Sequence, residues 1–144
     1  MIEKVNYKND MLALIVRGKY RTRKGITFFT PKESTQQFGY MRHKKSHIIK
    51  PHLHKKRKTR IMYTSEVILL LKGLLRVDFY NNKKKYLISK ILKPKDIIML
   101  VKGGHGFKVL KEVQMIEIKQ GPYSLSKDKV KFENIDENKI KIKK

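Results

Sequence analysis

An all-β chain, folded as one antiparallel barrel or sandwich, is what this sequence predicts, and three observations carry the prediction. Short apolar runs recur along the chain with turn residues between them, among them Gly25, Pro31, Gly73, Asn81, Pro94 and Gly121. Several runs alternate apolar and polar positions as half-buried strands do. No stretch shows the roughly 3.6-residue apolar period of an amphipathic helix. At 144 residues the length suits a single domain with a proper core.

Taken in order, Met11 to Arg17 (MLALIVR) reads as the first strand and Gly18 to Lys24 as a basic turn region. Ile26 to Thr30 reads as a second strand, Pro31 to Thr35 as a turn, and Gln37 to Met41 as extended chain again. Ile48 and Ile49 lead into Pro51-His52-Leu53-His54, expected as a strand whose two imidazoles share a face, because side chains two apart in a strand point the same way. Glu66 opens the next strand, whose run Val67 to Leu71 is apolar enough to be buried on both faces. Leu74 to Tyr80 continues after Gly73, Asn81-Asn82 supplies a tight turn, and Lys85 to Leu92 returns. Pro94-Lys95-Asp96 is a turn, and a lysine at position 95 argues for one that does not demand positive φ there. Ile97 to Val101 is a further buried strand, Gly103 to Phe107 a sharply bending glycine loop, and Val113 to Lys119 the last strand. From Ser124 the alternation is lost and charge rises, as expected for a surface extension ending in a frayed tail. The domain is therefore placed at 1–125 and a basic extension at 126–144.

The formal net charge is +24, which invites a nucleic-acid or anionic-membrane reading. Against it, only seven of the 36 basic residues are arginine, and the lysines look scattered through turns and strand edges. A nucleic-acid partner is accordingly disfavoured and no membrane partner is expected. There are no cysteines, so thiolate chemistry and disulfides are excluded. The first residues lack an apolar leader core, and no apolar run approaches the roughly 20 residues of a membrane span. A soluble cytoplasmic protein is expected.

Chemistry concentrates in four residues. His52 and His54 could reach one ion, and an ionised Glu66 on a buried strand calls for a cation, a hydrogen-bond network or solvent. His105, among glycines, could approach them as a third imidazole. Spacing alone leaves open the alternative of exposed histidines in a lysine-rich loop. His43 and His47, in the polar approach, are weaker candidates.

These pieces resemble the cupin family of small antiparallel jelly-roll barrels. Its first motif, glycine, five residues, His-x-His, a spacer, glutamate, six residues, glycine, is matched by His52, His54, Glu66 and Gly73, with Ser46 in place of the leading glycine and an eleven-residue spacer before Glu66. The second motif is approached more loosely, by Pro94-Lys95-Asp96 where the family often has Pro-Gly-Asp and by His105 as its histidine, with Lys102 and Val109 at its glycine and asparagine positions. Thr64 to Ile68 and Met115 to Tyr123 look most like cupins of sugar metabolism, including the mannose-phosphate isomerase type. The resemblance implies a jelly-roll fold and one divalent transition metal, Zn, Mn, Fe or Ni, on His52, His54, Glu66 and His105. It also implies a carbohydrate or nucleotide-sugar isomerase or epimerase in which the metal acts as a Lewis acid. Glu117 could serve as base, and Arg60 and Lys119 could contact an anionic substrate. A non-catalytic sugar- or small-molecule-binding protein with a structural metal is the alternative. Strands apolar on both faces point to a homodimer.

Overall fold

The structure, a computed structural model, describes residues 1–122 and 129–143. The chain forms two compact units, Met1–Tyr20 with Tyr63–Lys144, and Arg21–Met62. The residues left undescribed, 123–128 and 144, include the expected closing Tyr123 and the start of the expected extension.

The first unit is a curled antiparallel sheet with the character of a half-barrel. Its strands are β1 (Ile2–Tyr7), β2 (Asp10–Val16), β5 (Glu66–Tyr80), β6 (Tyr86–Leu92), β7 (Ile97–Leu100) and β8 (Gly104–Lys119). The order is β1, β2, β7, β5, β6, with β8 on the other side of β5. β6 and β7 lie end to end along one side of β5, since Leu92 faces Leu75 and Ile97 faces Leu69.

The register shows how strongly β5 curls. Glu66, at its start, pairs with Leu100, and Tyr80, at its end, pairs with Gly104. A straight 15-residue strand would span roughly 50 Å at about 3.3 Å per residue. Leu100 and Gly104 are four residues apart, a reach of at most about 14 Å. β5 must therefore bend back on itself, and the bend falls where its pairing with β8 slips between Leu70 and Leu75. Gly73 sits there with φ +91°, and a Cβ on it would come within 1.9 Å of the Glu112 carbonyl oxygen. Only glycine fits that backbone. The bulge also flips the strand's parity. Glu66, Ile68 and Leu70 face the core before it, and Leu75, Val77 and Phe79 face the core after it.

On the concave face these side chains pack with Ala13, Ile15, Ile98 and Leu100 into one apolar cluster. On the opposite face of β5, after the bend, the polar residues are paired. Arg76 donates to both oxygens of Asp78 at 2.8 and 3.0 Å and to Glu137 at 2.7 and 3.0 Å, and Ser89 donates to Asp78. Residues 129–143, within the expected surface extension, lie on this face, and contacts reach as far as Lys143 where fraying was expected. Phe132 packs edge-on against Tyr80, and Ser89 exchanges backbone hydrogen bonds with Lys141 and Lys143. A second network anchors β1 and β2 to the β6–β7 turn: Arg17 bridges Glu3 at 2.6 Å and Asp96 at 2.7 Å, and Lys90 meets Glu3 at 2.7 Å.

The second unit holds a two-stranded hairpin, β3 (Gly25–Phe28) with β4 (Gly39–Arg42). Its loop is closed by Gln37, whose amide donates to the carbonyls of Pro31, Lys32 and Ser34. From 43 to 65 there is neither helix nor strand.

Four expectations are corrected. Pro51 to His54 is not a strand; it belongs to that irregular segment, which lacks a paired neighbour to complete backbone hydrogen bonds. Ile2–Tyr7 is a strand that its mixed charge concealed, held only by β2 at the sheet's edge. Gly104 to Phe107 opens β8 and is not a loop; the bend is confined to Gly103, at φ +75°. Lys95 does adopt positive φ, +73°, held by its amide donating to the Leu70 carbonyl at 2.7 Å and by Asp96 capping Lys93.

Gly73 and Lys95 occupy the same backbone region and predict opposite outcomes. Gly73→Ala should destabilise the sheet by roughly 3 kcal/mol or more, from strain and the clash with Glu112. Lys95→Gly should stabilise it by up to about 1 kcal/mol by relieving left-handed strain. Urea-denaturation midpoints of the two variants against wild type check both signs.

Candidate functional site

The curl of β5 has a chemical consequence, because it brings its first residue to the first turn of β8. Glu66 lies on the core-facing parity of β5 and is 4% exposed. His105 pairs with Phe79 across the far end of the β5–β8 ribbon, so its ring points to the same concave side. The two meet with His105 Nε2 3.0 Å from Glu66 Oε2. The second carboxylate oxygen faces the Lys129 ammonium at 3.3 Å.

Around this pair the surface is basic and partly aromatic. Lys119 stands opposite Glu66 in the β5–β8 register. Phe107, two residues on from His105 along the same face, lies with its ring 5.4 Å from the imidazole. Lys102 caps the Tyr63 ring at 5.5 Å. A cleft of about 230 Å³ lies elsewhere, at the β1–β2 and β5–β6 turns, lined by Tyr7, Lys8, Asp10 and Leu12 together with Asn81, Asn82 and Lys83. It contains none of the predicted residues.

The hydrogen bond from His105 draws the Glu66 carboxyl down from its ordinary 4.5 to about 2, against burial, which pushes the other way. Glu66 is thus an anion throughout the physiological range and cannot act as an acid there. With Nε2–H given to the carboxylate, the basic position of the neutral ring is Nδ1. The arrangement is that of an oriented imidazole base, with the carboxylate fixing the tautomer and stabilising the imidazolium that forms when the ring takes a proton.

Of the four expected ligands, then, the structure joins Glu66 and His105. His52 and His54 belong to the other unit, in its exposed irregular segment, with their rings 5.2 Å apart and His52 Nδ1 2.9 Å from the Lys50 carbonyl. His43 and His47 are stacked on each other there, and Arg60 is exposed in the same segment. Glu117 is exposed on β8. Among the described residues no three imidazole or carboxylate groups converge as a metal ion needs. The Glu66–His105 pair offers two donor groups, with one carboxylate oxygen already against an ammonium, which fits an acid–base pair better than a fixed ion.

Sequence reasoning did not find Lys129. No local signal marks it, because it sits in a lysine-rich tail 63 positions from its partner. Phe107 was legible only as part of a glycine loop, and its role on the face of the sheet appears only once β8 is known to begin at Gly104.

No family model, curated protein or solved structure matches this chain.

The Glu66 carboxyl makes stability depend on acid. Because its folded pKa lies below the ordinary value, its contribution is complete above about pH 4.5 and is lost as pH falls towards 2. In metal-free protein the contribution should be roughly 3 kcal/mol. Wild type and Glu66→Gln should therefore differ in urea midpoint at pH 6 and converge near pH 2, where a difference that persists unchanged would disprove the assignment.

Proposed function

We propose that this protein acts on a small anionic metabolite of the sugar or nucleotide-sugar class, as an isomerase or epimerase. In this reading His105 takes a proton from carbon next to a carbonyl and returns it to the resulting enediolate, while Glu66 positions the ring and stabilises the imidazolium between the two transfers. The single observation that carries the reading is the Glu66–His105 contact at 3.0 Å on the concave face of a curled sheet. The lysines beside it, Lys119 and Lys129, would favour phosphate or carboxylate groups on the substrate through their summed field.

A second reading adds one divalent transition ion, Zn, Mn, Fe or Ni, and is favoured by the meeting of two of its four expected ligands. In it the ion would supply Lewis acidity, with Glu66 and His105 among its ligands. A non-catalytic sugar- or small-acid-binding protein is the reading from another class.

One experiment separates them. Sugar phosphates and nucleotide sugars are incubated with the protein in D2O, and exchange at the carbon beside the carbonyl is followed by NMR. Exchange that falls about 100-fold or more in His105→Gln supports the acid–base reading. Binding without exchange points to the non-catalytic protein. Elemental analysis of untagged protein adds the metal: one ion per chain, lost in both His52→Ala and His105→Ala, is what the second reading requires.

We propose as well that two copies associate along β8. Among the described residues β8 pairs only with β5, and Val109, Leu110, Met115, Ile116 and Ile118 along it are exposed. Long apolar edges of this kind invite another strand. In a chain with three basic residues for each acidic one, β8 carries three lysines against two glutamates, so like charges oppose pairing little there. Light scattering at micromolar concentration should give the mass of two chains for wild type and of one for Ile116→Lys/Ile118→Lys.

A further inference from the structure

The division into two units changes how the net charge must be read. Arg21–Met62 carries thirteen lysines and arginines against a single acid, Glu33, so half of the chain's +24 resides in 42 residues. Five of the seven arginines are among them. No acidic residue occurs between Glu33 and Glu66. The lysines that look scattered along the whole sequence are, in this unit, joined by arginines and accompanied by a single carboxylate of the unit's own.

The same unit exposes apolar side chains that no core accounts for. On the β3–β4 hairpin Ile26 lies opposite Met41, and both are exposed, as is Phe28. In the irregular segment every residue from 43 to 64 is exposed, including Ile48 at 80% and Leu53 at 96%. A structureless stretch of more than about 15 residues is uncommon inside a compact domain, and those that occur are usually functional or linkers. This one is more than half basic, histidine or large and apolar.

We infer that residues 21–62 form a docking surface for an anionic phospholipid bilayer. Two independent features of the unit address the two layers of such a surface. Lysine and arginine are drawn to phosphate and carboxylate headgroups, and their attraction to the anionic face accumulates residue by residue. Ile48, Ile49 and Leu53, interleaved with those charges, can enter the boundary between headgroups and acyl chains, where burying apolar area adds to the binding. Nucleic acid would use the charges equally well, but the segment from 43 to 60, where the basic residues are densest, exposes isoleucine and leucine and has no Phe, Tyr or Trp ring on which bases could stack, the exposed Phe28 lying apart from it on the hairpin. The apolar residues decide between the two polyanions.

The test is sedimentation of the full chain with vesicles containing phosphatidylserine, against vesicles of phosphatidylcholine alone, with fluorescence anisotropy on single-stranded RNA and duplex DNA run at the same ionic strengths. The expected result is binding to the anionic vesicles and not to the neutral ones, weakened by salt. Replacing Lys55, Lys56, Arg57 and Lys58 together by Gln should lower partition about 100-fold or more. Replacing Ile48, Ile49 and Leu53 together by Ser should lower it at least about 10-fold while leaving any binding of nucleic acid unchanged. All seven side chains are exposed, so neither set of changes disturbs a core. The inference is overturned if nucleic acid binds more tightly than the vesicles at equal salt, if the Ser variant partitions like wild type, or if neither polyanion binds. None of these outcomes bears on the exchange reaction, which belongs to the other unit.

Discussion

The bend in β5 at Gly73 is the constraint on which the first unit depends. A 15-residue strand that stayed straight would carry Glu66 and Tyr80 to opposite ends of the molecule. Because the backbone turns through a left-handed glycine beside the Glu112 carbonyl, the strand instead closes towards itself, and its two ends pair with residues four apart. The bulge also changes which side chains face inward, so the same strand supplies core residues on even numbers before the bend and on odd numbers after it. Concave face, apolar cluster and the approach of Glu66 to His105 all follow from that one local geometry.

The two faces of the sheet are held by different physics. The inner face is sealed by hydrocarbon, with Leu75, Val77 and Ile98 fully buried. The outer face of β5 and β6 buries Arg76, Asp78 and Ser89, which would be costly unpaired. The C-terminal segment meets that cost through Glu137, whose carboxyl is held down near 2 by hydrogen bonds from Arg76 and Lys108. Residues 129–143 are thus a structural part of the sheet. They also bring Lys129 to Glu66, which links the covering of one face to the electrostatics of the other.

A buried carboxylate needs polar or charged partners, and the structure gives Glu66 two of them. One of its oxygens lies against the His105 imidazole and the other against the Lys129 ammonium. This satisfies the demand that burial places on Glu66, and it does so with partners from β8 and the C-terminal segment.

The sequence by itself determined the class of fold and most of the strands, because alternation, turn residues and the absence of helical periodicity are local properties that each segment carries alone. It also singled out Glu66 and His105, since a carboxylate opening an apolar strand and an imidazole among glycines are unusual wherever they fall. The tertiary structure decided what depends on long-range pairing. That includes the merging of two expected strands into one bent β5, the left-handed turn at Lys95, and the seating of the tail. It also includes the separation of His52 and His54 into another unit. An edge strand such as Ile2–Tyr7 and a distant partner such as Lys129 leave no periodic trace, because what stabilises them is a neighbour far away in the chain, and the identity of that neighbour is set only when the sheet curls.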